Sequence, residues 1–219
     1  SCRIVADRTG WELNMDNAEF RWMDGLRFDG IILVEPGADE PTIVADRLQI
    51  KPRWLPLLKG RVEAALVEVT GLSLTVRLDA EGHWAIARRP GAETEAELPG
   101  TWPHAILRDT RVKVVPADDD GPVPPLDLRG LDLEVVPQPA GDTLGITARF
   151  PGREYGSWRV EARVTPSERF AAGVVDVKGM EVGPRWRPWV PHDLRKSWDE
   201  MAPSGLADVY ASFEWNAAE

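Results

Sequence analysis

The stretch Leu-Arg-Phe-Asp-Gly-Ile-Ile-Leu at residues 26–33 carries the pattern that predicts the fold. Apolar side chains at Leu26 and Phe28 alternate with charged ones up to a glycine, after which the apolar positions resume one residue out of phase at Ile31 and Leu33. Alternation with a period of two places successive side chains on opposite faces of a β-strand. The stretch therefore indicates a strand with one apolar face and one wet face.

The same pattern occurs four times, over residues 26–33, 67–74, 126–133 and 175–182. A one-residue phase change would turn the apolar set outward unless an extra residue at a β-bulge restores the facing. Glycine suits such a position because it accepts φ > 0 without a side-chain clash. We therefore predict long strands bent at these glycines, with an ordinary meander of short strands and glycine turns as the alternative. The predicted bend glycines are Gly30, Gly71, Gly130 and Gly179.

The intervening segments also alternate and predict further strands. They cover residues 11–14, 18–23, 42–51, 105–115, 143–150, 156–164, 170–177 and 207–215. Two short helices are expected, at residues 54–59 before a glycine and at residues 191–201 starting with a proline, and both are expected to cover ends of the sheet. The fold class predicted is mainly β, with one long curved antiparallel sheet and two short helices.

A connecting segment divides the chain into two similar halves. Residues 88–103 are rich in Pro, Gly, Ala and Glu and show no periodicity, which is typical of an exposed connection. We therefore predict a first β module at residues 1–90, a linker at 91–103, and a second β module at 104–219 that continues the sheet.

Composition narrows the functional classes. A net charge of -10 argues against a nucleic-acid partner, because phosphate binding needs clustered Lys and Arg. No stretch approaches the roughly 20 consecutive apolar residues of a spanning helix. The single cysteine, Cys2, excludes an intrachain disulfide; near the start of the chain it is compatible with a lipidated residue left after signal cleavage or with an ordinary thiol.

The sequence lacks the motifs of catalysis and metal binding. No nucleophile elbow, Walker loop or dinucleotide fingerprint occurs, and the three histidines lie far apart. The three aspartates at residues 118–120 could hold Ca²⁺, but a solvated hairpin tip fits their spacing better. A pair of catalytic carboxylates, as in a glycosidase, is not excluded by the sequence, but only because the chain has 36 acidic residues. We expect no enzyme activity, no cofactor and no metal site.

Residues 26–84 resemble the N-terminal module of AsmA-like proteins, a family of repeating β-groove lipid-transport proteins. The segments that carry the resemblance are a Leu-rich strand at 26–33, an alternating strand at 41–50, a short Leu-rich helix at 54–60, a strand of Val and Glu at 62–78, and a turn with Asp79, Glu81, Gly82 and Trp84. Residues 104–115 and 126–136 are similar to the segment that follows in some members. The chain departs from the family in lacking its N-terminal membrane helix and in its short length, so we expect one piece of a longer protein.

The resemblance implies a taco-like sheet, open as a groove, whose concave apolar face shields lipid acyl chains while head groups stay in water. It implies lipid transport and outer-membrane biogenesis in the periplasm or cell envelope, with phospholipid or another lipid as ligand and other envelope proteins as partners. A membrane anchor would come from an N-terminal segment that this sequence lacks. Exposed apolar surface costs about 25 cal/mol per Å², so an open groove either binds something apolar or is covered.

The candidate groove-lining residues are the apolar positions of the bent strands and of two neighbouring strands. They are Leu26, Phe28, Ile31, Leu33, Leu48, Ile50, Val67, Val69, Leu72, Leu74, Val112, Val114, Leu126, Leu128, Leu131, Leu133, Val175 and Val177. Each one taken singly is also compatible with packing of the sheet against the helices.

Two further readings of the same face stay open. One is a structural or assembly module of the envelope in which the apolar face is a closed core. The other is a carbohydrate-binding β-sandwich that uses exposed tryptophans such as Trp158 and Trp189.

Overall fold

The structure is a computed structural model, and it describes most of the chain. The described residues are 2–5, 11–22, 24–35, 41–78, 84–85, 101–115, 125–139, 142–152, 155–190 and 194–216. They form one large sheet accompanied by short helical segments, so the mainly β fold predicted from the sequence is confirmed.

Fourteen strands build the sheet within these residues. They are β1 (Cys2–Val5), β2 (Glu12–Met15), β3 (Asn17–Arg21), β4 (Gly25–Val34), β5 (Ile43–Pro52), β6 (Ala64–Thr70), β7 (Ser73–Leu78), β8 (Trp84–Ala85), β9 (His104–Val115), β10 (Leu126–Pro137), β11 (Leu144–Pro151), β12 (Ser157–Thr165), β13 (Phe170–Val182) and β14 (Gly205–Asn216). The main path through the sheet runs β1-β2-β4-β5-β6-β9-β10-β11-β12-β13-β14. Both predicted modules therefore contribute to one continuous sheet.

The two α-helices are short and lie within the predicted ranges, whereas two 3-10 turns were not predicted. Helix α1 (Trp54–Leu58) connects β5 to β6, and α2 (Arg195–Met201) precedes β14, with 3-10 turns at Pro166–Glu168 and Pro184–Trp189. Residues 191–193 of the predicted second helix lie outside the described residues. Several apolar residues of α1 and α2 are exposed, in contrast to the expected covering role, whereas Leu57 and Trp198 are half-buried. The exposed ones are Leu55, Leu58 and Met201, together with Leu194 just before α2.

The sheet is mixed, and the expectation of a wholly antiparallel sheet is wrong at one strand. Described strand pairs are antiparallel except at β9, which runs parallel to β6 and to β7. A parallel neighbour requires a connection that returns to the starting end of the sheet. The segment between β7 and β9 has the length for that return, whereas alternating side chains carry no signal of strand direction. The parallel pairing is where the two predicted modules join.

A line of kinks crosses the sheet at the level of the repeated glycines. Gly30, Gly71, Gly130 and Gly179 all have φ between +64° and +77°, and Asp109 of β9 has φ +51°. Strands β4, β10 and β13 run through their glycines, and β7 continues past Gly71 in the direction of β6. The structure thus has bent strands at these positions rather than turns that reverse the chain. We call this line the crease.

Aspartate side chains lie beside the crease. A Cβ atom built on Gly71 would be 2.1 Å from Oδ2 of Asp46, and Oδ1 of Asp208 accepts a hydrogen bond of 2.8 Å from the N–H of Gly179. A carboxylate in this place can satisfy a backbone donor that a bulge leaves out of the strand ladder. The N–H of Asp109 likewise donates to Oδ1 of Asp132, whereas Asp16 lies close to Gly30 as Asp46 does to Gly71.

The crease keeps the apolar side chains on one face. Between Leu128 and Leu131, β10 advances three residues while its partner β9 moves only two, from Val112 to Thr110. Because facing alternates with every residue, one extra residue restores the same side after the phase change. Strand β13 makes the same adjustment against β14 at its own glycine.

Candidate functional site

The register of the sheet aligns apolar side chains into a row that crosses ten strands. Residues paired across neighbouring strands point to the same face. This first row lies next to the crease, and every member is apolar. Its members are Ala18, Phe28, Leu48, Val69, Leu107, Leu133, Ala148, Val160, Val175 and Ala211.

A second row crosses the same ten strands two residues farther from the crease. Residues two apart on a strand share a face, so the two rows form one apolar band. Its members are Phe20, Leu26, Ile50, Val67, Ala105, Val135, Ile146, Ala162, Gly173 and Phe213.

On the other side of the crease the apolar face continues over fewer strands. One row there consists of Leu13, Leu33, Ile43, Leu74, Val112 and Leu128, and a shorter one of Val76, Val114 and Leu126. The predicted lining residues outside these rows lie near the crease. Ile31 pairs with Ala45, Leu131 with Thr110, Val177 with Trp158 and Val209, and Leu72 accepts the N–H of Arg111.

The opposite face of the ten strands is polar. The row between the two apolar rows is Glu19, Arg27, Gln49, Glu68, Ile106, Glu134, Thr147, Glu161, Val174 and Ser212. Ion pairs between strands link this face, with Arg47 Nε 3.0 Å from Asp29 Oδ1 and Arg108 Nε 2.9 Å from Glu68 Oε1. The sheet is therefore amphipathic across these ten strands, although Ile106 and Val174 are apolar members of the polar row.

The apolar band is only partly covered. None of the members of its two rows is fully buried, and most are half-buried. At the ends of the second row, Phe20, Leu26 and Phe213 are 57%, 40% and 41% exposed. The described strands belong to one sheet and not to two packed sheets, so a β-sandwich is not observed among them. The band has the exposure of an open surface rather than of a sealed core.

A shallow cavity of about 730 Å³ lies over strands β10 to β14. Its lining includes the members of the second row contributed by β11 to β14. The other lining residues, such as Thr147, Glu161 and Arg163, alternate with that row and lie on the polar face. None of the predicted lining residues borders the cavity, because the cavity lies at the ends of β10 and β13 away from Gly130 and Gly179.

The two tryptophans proposed for carbohydrate binding do not form an exposed platform. Trp158 is half-buried and packs edge-on against Phe150, with ring centroids 6.4 Å apart. Its ring N–H donates to the carbonyl of Tyr155. Trp189 is also half-buried, at the end of the second 3-10 turn.

The strongest ion pairing on the polar face surrounds Asp127. Nε and Nη2 of Arg111 donate to its two carboxylate oxygens at 2.7 and 2.8 Å, and Nη2 of Arg129 donates at 2.6 Å. These hydrogen bonds, first from Arg111 and then from Arg129, hold the pKa of Asp127 well below its ordinary value. The same contact raises the pKa of Arg111. The cluster joins β9 to β10 beside the crease.

Replacing Asp127 by Asn is expected to lower the free energy of unfolding by about 1 kcal/mol at neutral pH, as for a partly exposed bidentate pair. The folded pKa is depressed, so this contribution is present above the unfolded pKa of about 3.9 and is lost as pH falls below it. Urea unfolding of both proteins should therefore give free energies that converge between about pH 5 and pH 2. The exposed pair of Lys196 and Glu200 offers a control, since Glu200→Gln should have little effect. A difference that stays constant with pH would contradict the assignment.

No known protein family matches the chain, and neither does any curated protein sequence or solved structure. The AsmA-like interpretation thus stays a prediction from the sequence pattern. Within the described ranges, no helix is long and apolar enough to cross a membrane. In that same part of the chain, no group of three or more His, Cys, Asp or Glu side chains is placed to hold a metal ion. The aspartates at 118–120 lie outside the described residues.

Proposed function

We propose that this chain binds lipid acyl chains along the apolar face of its sheet, as a non-enzymatic part of a larger AsmA-like protein of the bacterial envelope. The observation that carries the proposal is the two-row apolar band, which crosses ten strands without a charged or hydrogen-bonding side chain. Holding an acyl chain requires apolar surface and no catalytic group.

The dimensions of the band suit a lipid tail. Neighbouring strands lie about 4.8 Å apart, so ten strands give a band on the order of 40 Å long. The hydrocarbon region of one bilayer leaflet is only about 15 Å thick. The band is therefore long enough to hold an extended acyl chain.

The energetics favour a ligand on this face and not on the other. Covering apolar surface stabilises a complex by about 25 cal/mol per Å². The polar face is already satisfied by ion pairs such as Arg47 with Asp29, and it stays in contact with water. A lipid would thus lie on the apolar face, with its head group at a margin of the sheet.

A structural or assembly module is the second candidate function, and strand β14 favours it. This strand ends the path through the sheet, so one of its backbone edges is not paired within the described residues. It also exposes large side chains at Val209, Tyr210, Phe213 and Trp215. Exposed edge strands of this kind can pair with a strand from another chain. In that function the partner, and not lipid, would cover the apolar face.

Native mass spectrometry after expression in bacteria and purification without detergent separates the two functions. Lipid binding predicts co-purified phospholipid and, after its removal, saturable binding of a fluorescent phospholipid. Unlabelled phospholipid should compete for this binding, whereas its soluble head group without acyl chains should not. A lipid-free protein with no saturable phospholipid binding would contradict the proposal and favour the assembly module.

A further inference from the structure

The connection between β5 and β6 presents apolar side chains to solvent at one end of the sheet. Leu55, Leu58 and Val62 are 76%, 81% and 83% exposed. Leucines in a short connecting helix normally pack against the body of the protein, where their burial stabilises it. Of the α1 leucines only Leu57 is half-buried, whereas Leu55 and Leu58 are exposed to solvent.

A turn from the neighbouring hairpin enlarges this surface. Trp22, between β3 and β4, lies against Trp54 of α1 with ring centroids 5.0 Å apart. Trp22 is itself largely exposed, as is Phe20 at the end of β3. We call this surface the α1 corner; its members are Phe20, Trp22, Trp54, Leu55, Leu58 and Val62.

The α1 corner is locally basic on an acidic chain. Residues 51–62 contain four basic side chains and no acidic one, although the whole chain has a net charge of -10. Lys59 and Arg61 are exposed beside the leucines. Glu63 directly follows residues 51–62, and Asp24 lies in the turn between β3 and β4 that carries Trp22, so both acidic residues border the corner. The four basic residues are Lys51, Arg53, Lys59 and Arg61.

We propose that the α1 corner docks on the surface of a membrane that contains anionic phospholipids. Exposed leucines can enter the boundary between head groups and acyl chains, tryptophans favour that interface, and Lys and Arg attract anionic head groups. Between residues 51 and 62 every charged side chain is basic, which fits an anionic membrane surface. Membrane docking here does not require the apolar band to bind lipid. If both hold, the band begins at the docked end, where Phe20 and Leu26 lie.

Co-sedimentation of the full chain with lipid vesicles tests this inference. Binding is expected to vesicles that contain phosphatidylglycerol and to be much weaker with phosphatidylcholine alone. The double variant Leu55→Ser/Leu58→Ser should bind roughly tenfold more weakly, because it removes most of the inserted apolar area. The variant Lys59→Glu/Arg61→Glu should lose the preference for phosphatidylglycerol. The matched control is Leu194→Ser/Met201→Ser, which removes two exposed apolar residues beside α2 and should bind like the unaltered protein.

The inference is overturned if the unaltered protein ignores phosphatidylglycerol vesicles, or if the α1 and α2 variants bind equally. Circular dichroism verifies that each variant keeps its sheet, and the two α1 variants change different properties, so one misfolded variant does not decide the result. Co-purified lipid measured in the same variants separates this inference from lipid binding along the band. Vesicle binding without co-purified lipid would contradict only the proposed function, and co-purified lipid without vesicle binding only the docking.

Discussion

Gly71→Ala is expected to destabilise the fold by on the order of 3 kcal/mol, from a strained backbone together with a steric clash. Gly71 has φ +66°, a conformation that side chains with a Cβ rarely adopt, and the added atom would lie 2.1 Å from Oδ2 of Asp46. Asp46 lies on the neighbouring strand β5, so relief of the clash has to move the side chain away from the crease. Urea unfolding followed by circular dichroism measures the loss.

Gly179→Ala is the matched control because it shares the backbone conformation without the clash. Its φ is +64°, yet a Cβ there would meet nothing within 4 Å. The free energy of unfolding should therefore fall by only about 1 kcal/mol, the cost of the positive φ for alanine. The variant Gly71→Ala/Asp46→Gly should recover part of the difference, because it removes the carboxylate that the new Cβ meets. Equal destabilisation by the two single substitutions would show that the close approach of Asp46 has no energetic role.

Ala148→Lys is expected to weaken phospholipid binding at least tenfold if the apolar band is the binding surface, because a bound acyl chain would have to cover an unpaired ammonium group. Ala148 lies in the middle of the first row, between Leu133 and Val160 on the adjacent strands. Titration of the lipid-free protein with fluorescent phospholipid gives the affinity.

The preceding residue of the same strand provides the comparison. Thr147 points to the polar face, between Glu134 and Glu161. A lysine there meets opposite charges, so Thr147→Lys should leave both phospholipid affinity and the far-ultraviolet circular dichroism spectrum unchanged. The two variants carry the same new charge one residue apart. Equal phospholipid affinities of the two variants would rule out the apolar face as the binding surface, because the new charge would then have the same effect on either face.

Local patterns predicted the strands well but could not predict the complete band. The repeated glycine pattern indicated bent strands around Gly30, Gly130 and Gly179, and each shows the positive φ that a phase change in the apolar residues requires. Leu107, Val160 and Ala162 were missing from the predicted lining set, although they complete the two rows. Their membership depends on the pairing register between strands, which no single strand encodes.

The amino-acid order by itself determined that this chain forms amphipathic strands with kinks at fixed glycines, because alternation and conformational freedom are properties of a few neighbouring residues. Only the tertiary structure decided that β9 runs parallel to β6 and that apolar residues from ten strands align into rows. It also decided that Leu55 and Leu58 of α1 stay exposed. Strand direction, register and exposure depend on segments far apart in the chain, and their energies are settled only when those segments meet.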